Sequence, residues 1–334
     1  MTSVLIVVLN WNGINDTEKC LDSLFNQTYQ NFKILVIDNG SIDGSQDKLQ
    51  EIANKHEDLV VIYNKKNKGF AGGVNTGIAY AINNRFDNVA LINNDAIADK
   101  EWLSELTKET RKASIVTGLL LNSKGDKIDS TGEYYSVWGT SFARSRGRSA
   151  MSVEPSDFVF GATGGASLYK TSLFKEIGLF DESFFAYFED ADISFRAQLA
   201  DHKVYFTNRA IAYHQQGATS KKIPGFTVYQ TFKNIPLLFI KNVPAGLFLP
   251  IGFRLLVLYI LFFGNAVKNG TGFSALKGWL ASIGYFWIRS LWLRIGIQSK
   301  RKVPTSYINS IILHDLAPDQ TGMRKFRKFF TGKA

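Results

Sequence analysis

VLIVVLNWNG (residues 4–13) decides how the rest of the chain is read. Its six leading residues are all apolar, rich in Val and Ile, and leave no polar face, so Ser3–Leu9 has the pattern of a strand covered on both sides. Asn10-Trp11-Asn12-Gly13 then breaks it with turn-forming residues. The same alternation recurs downstream. A helix over Asp16–Phe25 leads to a second apolar strand, Phe32–Ile37, ended by Asp38-Asn39-Gly40. A helix over Asp47–Asn54 leads to a strand at Leu59–Tyr63, and a glycine loop, Gly69–Gly73, opens a helix running to about Asn83. Val89–Ile92, closed by Asn93-Asn94-Asp95, then Lys100–Lys112 and Ile115–Leu121 complete the series. Strands alternating with helices predict an α/β fold, a mostly parallel sheet between helices. In such sheets ligands bind beyond the carboxyl ends of the strands. Asn10 and Asn12, Asp38 and Asn39, the loop from Asn67, and Asn93 to Asp95 should therefore meet at one edge.

Composition bounds the rest. With 334 residues, 45% hydrophobic and 20% charged, the chain is globular and holds one large domain or two ordinary ones. Its one cysteine, Cys20, excludes an intrachain disulfide framework and fits a reducing cytoplasm. The first residues have no basic run and no cleavage site, so they do not read as a signal peptide. The net charge of +10 is uneven: residues 1–224 hold 24 Lys and Arg against 27 Asp and Glu, residues 225–334 hold 15 against 2. That asymmetry predicts two regions, 1–225 and 226–334, and an anionic partner for the second. No nucleic-acid recognition motif is present, which leaves an anionic membrane surface.

Two familiar nucleotide-binding patterns are absent. A dinucleotide fold needs G-x-G-x-x-G directly after the first strand, whereas here the glycine loop Asn67–Gly73 follows the third. There is no G-x-x-x-x-G-K-[ST] either. The segment 122–170 has the Gly, Ser and Tyr content of hairpins and loops. Arg144, Arg146 and Arg148 within it read equally as a grip for an acceptor phosphate or as a solvated basic loop.

Six stretches, in order, resemble family 2 glycosyltransferases of the GT-A fold, within them the rhamnosyltransferase-like members. They are VLIVVLNWNG (4–13), VIDNGSIDGS (36–45), NKGFAGGVNTGI (67–78), LINNDA (91–96), the segment 164–197 containing FFAYFEDADISFRA, and AYHQQGATS (212–220). Together they span about residues 3–220.

The residues themselves suit that chemistry. Asp38 can accept a hydrogen bond from the imide N–H of a uracil or thymine, the role the resemblance implies for it. Gly69, Gly72 and Gly73 allow close backbone approach to a nucleotide, with Phe70 beside them and Asn75 facing it from the helix. Asn10, Asn12, Asn39, Asn93, Asn94 and Gly164 join this nucleotide-sugar-binding set. Asp95 stands where relatives carry D-x-D, with Asn93 in place of the first acid, so one carboxylate is left for a divalent cation, Mg²⁺ or Mn²⁺, that would neutralise the departing diphosphate. An inverting transfer needs a carboxylate to take the acceptor's proton, and the resemblance implies Asp190, with Glu189 and Arg196 supporting acceptor or base. It also implies His214 as a second metal ligand. Asp192 reads as a structural partner of Arg196 at i+4. His56, His202 and His314 read as surface residues.

Residues 235–297 are apolar and aromatic, but Lys241, Arg254, Lys268, Lys277 and Arg289 interrupt every stretch before it reaches spanning length. The lopsided faces, with Trp279, Trp287 and Trp292 beside Arg289 and Arg294, predict helices lying on a membrane surface, and MRKFRKFFTGK (323–333) adds a further anchor. The sequence thus predicts an enzyme peripheral on the cytoplasmic face of the cell membrane. The resemblance implies that it moves rhamnose from dTDP-rhamnose to a lipid-linked or polysaccharide acceptor in cell-surface glycan synthesis. A non-catalytic nucleotide-sugar-binding scaffold is the alternative, and a processive synthase lacks its Q-x-x-R-W motif here.

Overall fold

The computed structural model describes residues 1–215 and 223–316. Its first half alternates as β1 (Val4–Asn10), α1 (Ile14–Phe25), β2 (Phe32–Asp38), α2 (Ser45–Ala53), β3 (Leu59–Tyr63), α3 (Gly69–Asn83), β4 (Asn88–Asn93), β5 (Ala96–Ala98), α4 (Trp102–Glu109) and β6 (Ile115–Asn122). Short strands follow: β7 (Ile128–Ser130), β8 (Glu133–Tyr135), β9 (Ser141–Ala143), β10 (Asp157–Val159) and β11 (Ala166–Lys170). Then come α5 (Thr171–Ile177), α6 (Glu189–Leu199) and β12 (Val204–His214). The last third holds α7 (Phe226–Asn242), α8 (Ala245–Lys268), α9 (Gly272–Ser282), α10 (Tyr285–Ser299) and α11 (Thr305–Ile311).

The main sheet runs β10-β12-β6-β11-β4-β1-β2-β3. Strands β4, β1, β2 and β3 are parallel, as the alternation predicts. The departure lies next to them: β11 inserts antiparallel between β4 and β6, and β12 runs parallel to β6. The sheet is mixed because a strand from later in the chain takes the place beside β4.

Alternate residues of each strand feed opposite layers. Val4, Ile6 and Val8 pack with Cys20, Leu24, Trp102 and Leu106 of α1 and α4. Leu5 and Val7 pack with Val74 and Ile78 of α3, and the same layer takes in Ile193 and Ala197 of α6. With helices on both faces, a strand has no solvent side and needs none of the usual apolar–polar alternation. Cys20 is fully buried in the first layer, where burial pushes its thiol pKa far above the ordinary value.

The change of charge at residue 225 is not a break in packing. Ile235, Leu238 and Ile240 of α7 share one core with Tyr135, Phe160, Phe184 and Phe195. Pro236 lies inside α7 and has no N–H to offer Phe232, whose carbonyl instead accepts the Tyr259 hydroxyl of α8. Helix α8 differs from the sequence expectation. Among the described residues it is the one helix long and apolar enough to cross a membrane by length and composition, because a continuous helix of 24 residues tolerates Arg254 as its only interior charge before Lys268. The terminal 323–333 stretch and the end of AYHQQGATS lie outside the described residues, as does the side chain of Trp287.

Candidate active site

The carboxyl ends of β1, β2 and β4 lie side by side, with Asn10 opposite Asp38 and Leu9 opposite Asn93. Beyond them opens a cavity of about 710 Å³. Asn39, Gly69, Phe70, Asn93, Asn94 and Gly164 line it, as do Asp95, Glu189, Asp190 and His214. Three of the four strand-end groups thus line it, through Asn39, the loop at Asn67 and Gly69, and Asn93 to Asp95, while Asn10 and Asn12 lie at the same edge without lining it.

The rest of the expected nucleotide set stands behind this wall. Asp38 is fully buried: burial works to raise its pKa, but hydrogen bonds from Ser41, Asn10 and Gln46 outweigh it and hold the carboxylate below its usual range. Asn12 accepts from the Ile42 N–H and shapes the turn after β1. Asn39 ties that edge to the glycine loop, donating to Asn67 and the Gly69 carbonyl and accepting from Asn64 and Lys68. The glycines act through packing. A Cβ at Gly73 would meet Leu9 at 2.8 Å, and one at Gly72 would meet Lys68 at 2.7 Å. Gly69, at φ +72, allows the Phe185 carbonyl to approach so closely that a Cβ would lie 2.3 Å from it. Asn75 points into the protein rather than the cavity, gripping both the N–H and the carbonyl of Phe180 and reaching Glu182.

One side of the cavity is built around His214. The antiparallel pairing of β12 with β5 places His214 opposite Ala96, so its Nε2 lies 3.0 Å from Asp95 Oδ1 and 3.3 Å from the Asn93 amide. Its Nδ1 is 2.7 Å from Asp129 Oδ2. Burial works to lower the imidazole pKa, but Asp129 and Asp95 together push it up to about 9. Arg146 pairs with Asp129 at 3.1 Å and lines the cavity. Among the described residues no three His, Cys, Asp or Glu side chains form a ready-made metal cage.

Two further acids line the same cavity. Asp190 lies in the first turn of α6, with its Oδ2 accepting from the Gly164 N–H at 3.1 Å and its Oδ1 from the Ala191 N–H at 2.8 Å. The carbonyl of Gly165, the residue after Gly164, accepts from the Asn93 N–H, so two consecutive glycines connect the β4 end to Asp190. Burial raises the pKa of both Glu189 and Asp190, and the charge of Asp190 adds to the rise at Glu189. Glu189 Oε2 is buried with no hydrogen-bond partner among the described residues.

Arg196 corrects an expectation. It does not reach the acceptor or the base: its guanidinium is buried against Asp192 (2.9 Å) and the carbonyls of Ile177 and Leu179. The reason is helical periodicity, since Arg196 lies on the face of Asp192, which also pairs with Lys241 at 2.9 Å. The arginine loop divides as well. Arg144 is buried and bonded to Glu154, Arg148 pairs with the same Glu154, and neither lines the cavity. His202 is tied to Ser114 and Glu176, and His56 stacks on Phe25.

Sequence reasoning missed Asp129 and Glu133. Glu133 lines the cavity from β8, accepts from the Ser141 hydroxyl, and has its pKa driven well above normal by burial and by Asp190. Both acids sit on three-residue strands too short to show a period. The available signal was an isolated acid inside a Ser-Gly-Tyr stretch.

Residues 3–178 match the model of Glycosyl transferase family 2. The chain belongs to this family and is a glycosyltransferase. It is similar to the low-salt glycan biosynthesis hexosyltransferase Agl10 of Haloferax volcanii, 27% identical over 240 residues, covering 69% of this chain and 73% of that protein. It is also similar to the poly-beta-1,6-N-acetyl-D-glucosamine synthase of Staphylococcus epidermidis, 24% identical over 213 residues, 61% of this chain and 47% of that one. Among solved structures, the mannosyltransferase PcManGT from Pyrobaculum calidifontis in complex with GDP-Man and Mn²⁺ superposes with a TM-score of 0.55 at 14% identity, covering 89% of this chain and 85% of that one. GalNAc-T7 with UDP, GalNAc and Mn²⁺ gives 0.57 at 16% identity, over 72% and 48% of the two chains. The fold is therefore GT-A.

Proposed function

We propose that this enzyme is an inverting, metal-assisted transferase that moves rhamnose from dTDP-rhamnose to a hydroxyl of a lipid-linked glycan in cell-surface polysaccharide assembly. The observation that carries the transferase reading is that Asp190 lines the same cavity as Asp95 and His214. The motifs quoted above support the donor, and the names of the glycan-building relatives support the pathway.

Asp95 and His214 suit a divalent cation. Their oxygen and nitrogen donors converge at 3.0 Å, and Asp129 accepts from the Nδ1–H, so Nε2 is the nitrogen that would face the cation once its proton is displaced. Two protein ligands leave the remaining positions to phosphate oxygens and water. Mn²⁺ or Mg²⁺ held there would neutralise the negative charge developing on the departing diphosphate. The chain's own residues do the rest. Asn39, the glycine loop and the strand ends frame the nucleotide. Gly164 and Ala191 fix the carboxylate of Asp190 so that it can accept the proton of the attacking hydroxyl as the new bond forms at the anomeric carbon. Glu189, whose Oε2 has no hydrogen-bond partner among the described residues, would support the acceptor or the base beside it. Phe185, Tyr187, Phe188 and Phe226 wall that end and exclude water.

The charges favour a hydroxyl nucleophile over a phosphate. Glu133, Glu189 and Asp190 cluster at the acceptor end, while Arg144 and Arg148 are engaged by Glu154 and Arg146 by Asp129. A hydroxyl needs a base to take its proton, whereas a phosphate oxygen would need none.

The last third supports attachment to an anionic membrane surface on the cytoplasmic face. Leu249, Phe253 and Ile260 of α8, Phe273 of α9, and Trp292 and Ile295 of α10 are 63 to 82% exposed, on helices that carry Arg254, Lys268, Lys277 and Arg289. Helices of this kind lie in the headgroup layer, apolar face down.

Nucleoside-diphosphate release from a panel of nucleotide-sugars, dTDP-rhamnose included, with Mn²⁺ or Mg²⁺ and membrane lipid extract, tests the reading. Release from dTDP-rhamnose that Asp190→Asn abolishes supports it. Release only from another donor replaces rhamnose, and release unchanged in the variant removes Asp190 as base.

A further inference from the structure

Helix α7 does more than join the basic last third to the sheet. The segment just before the acids, residues 184–188, has an unusual backbone. Phe185 sits at φ 62 and ψ −62, Tyr187 at φ 68 and Phe188 at φ 71, so three bulky non-glycine residues out of four lie in the left-handed region. A side chain at Cβ disfavours such conformations, and they persist only where the surroundings impose them.

The surroundings here are polar side chains of α7. Asn234, fully buried, donates from its amide nitrogen to the carbonyls of Phe184 (2.9 Å), Ala186 (2.9 Å) and Tyr187 (2.8 Å). One amide group with two hydrogens thus serves three carbonyls that a relaxed loop would turn elsewhere. Its neighbour Lys233 donates to the carbonyls of Ser183 (2.9 Å) and Phe184 (3.2 Å). Two turns further along, Lys241 reaches Asp181 at 2.6 Å and Asp192 at 2.9 Å, on either side of the same segment. The segment is held in the middle and at both ends by one helix.

What is held is a wall of the cavity. Phe185, Ala186, Tyr187 and Phe188 line it, and Phe188 is the residue on which α6 begins, its carbonyl accepting from the Asp192 N–H. Glu189 and Asp190 are the next two residues. Their direction follows from the peptides that Asn234 fixes.

We infer that Asn234, assisted by Lys233, is a positioning residue for sugar transfer: it imposes the left-handed backbone that aims Glu189 and Asp190 into the cavity. Asn234 touches no reacting atom. The inference rests on the reading of Asp190 as the base, and it makes α7 part of the transfer machinery.

The test uses the full chain with dTDP-rhamnose, Mn²⁺ and membrane lipid extract. Asn234→Ala should lower kcat at least 30-fold while the donor KM moves less than threefold. Asn234→Asp keeps the shape but turns acceptors toward the three carbonyls, so it should fare no better. A residue that merely supported the fold would reduce the folded fraction and leave kcat per folded molecule unchanged. Amide hydrogen exchange supplies a readout that needs no substrate: Asn234→Ala should speed exchange at residues 184–190 at least tenfold, with the strands β1 and β4 unchanged. If Asn234→Ala does not fold, Lys233→Met carries the test, with a smaller drop in kcat and faster exchange confined to the same segment. Wild-type exchange at 184–190 in the folded variants, or kcat within threefold of wild type, overturns the inference. Asp190→Asn, run alongside, separates the two readings. If it stays active the base assignment fails, and if it is inactive while Asn234→Ala is normal only the positioning role fails.

Discussion

The carboxylate of Asp129 lies 2.7 Å from Nδ1 of His214, at the opposite ring nitrogen from the one that faces Asp95. Imidazoles that bind metals are commonly oriented by such a partner, and losing it costs about 10- to 100-fold in metal affinity. Asp129→Asn should therefore weaken Mn²⁺ binding by about that factor, measured by electron paramagnetic resonance on the enzyme without donor. Unchanged affinity would show that Asp129 serves Arg146 alone.

Asp190→Asn should lower turnover by about 10²- to 10⁴-fold, the range for a lost general base. Donor affinity, read by calorimetry with Mn²⁺ present, should stay within a few-fold of wild type, because the Gly164 N–H can still donate to the amide oxygen. A large loss of donor affinity would place Asp190 in the donor site instead.

The buried acids set the pH profile. Burial raises the pKa of Asp190, Glu189 and Glu133, while Arg146 draws Asp190 and Glu133 partly back and Lys233 draws Glu189 back. A base works only when deprotonated, so activity should fall as pH drops through these raised values. The acid limb of kcat/KM should lie above the ordinary carboxylate range of about 4. A limb at or below that range, in an assay from pH 3.5 to 9, would mean that water reaches the acids freely.

Lys241 tests how far the last third belongs to the catalytic fold. It is 2% exposed and lies between Asp181 and Asp192. Removing one partner of a buried ion pair costs about 3–5 kcal/mol, because the other charge is left unpaired. Lys241→Ala should lower the denaturation midpoint accordingly. For the same reason a chain ended at Gly225 should not fold: it would expose Tyr135, Phe160, Phe184 and Phe195 to water. A soluble, cooperatively melting 1–225 fragment would contradict this.

How much of this was legible in the sequence follows from where each signal is local. Val4–Asn10 and Phe32–Asp38 announce themselves because both faces are buried. The edge at which Asn39, Asn93 and Asp95 meet follows from chain direction alone. The position of β11 does not, because pairing Ala166 with Ile92 and Ser167 with Thr117 depends on partners far along the chain. The glycines of 69–73 were visible as a loop, but their neighbours Leu9 and Phe185 were not. Glu189 and Asp190 could be picked out, whereas Asn234, some 45 residues on inside an apolar helix, looks like an ordinary polar interruption until its three carbonyls are seen.

The burial of Cys20 makes the molecule convenient for spectroscopy. The only native thiol is enclosed between α1 and the sheet and is kept protonated, so alkylating dyes should pass it by. A cysteine placed by Leu249→Cys or Phe253→Cys, at positions 82% and 72% exposed, would then be the sole reactive handle. A polarity-sensitive fluorophore attached there would report, residue by residue along α8, how deeply the helix settles into a lipid vesicle, without first having to engineer a cysteine-free protein.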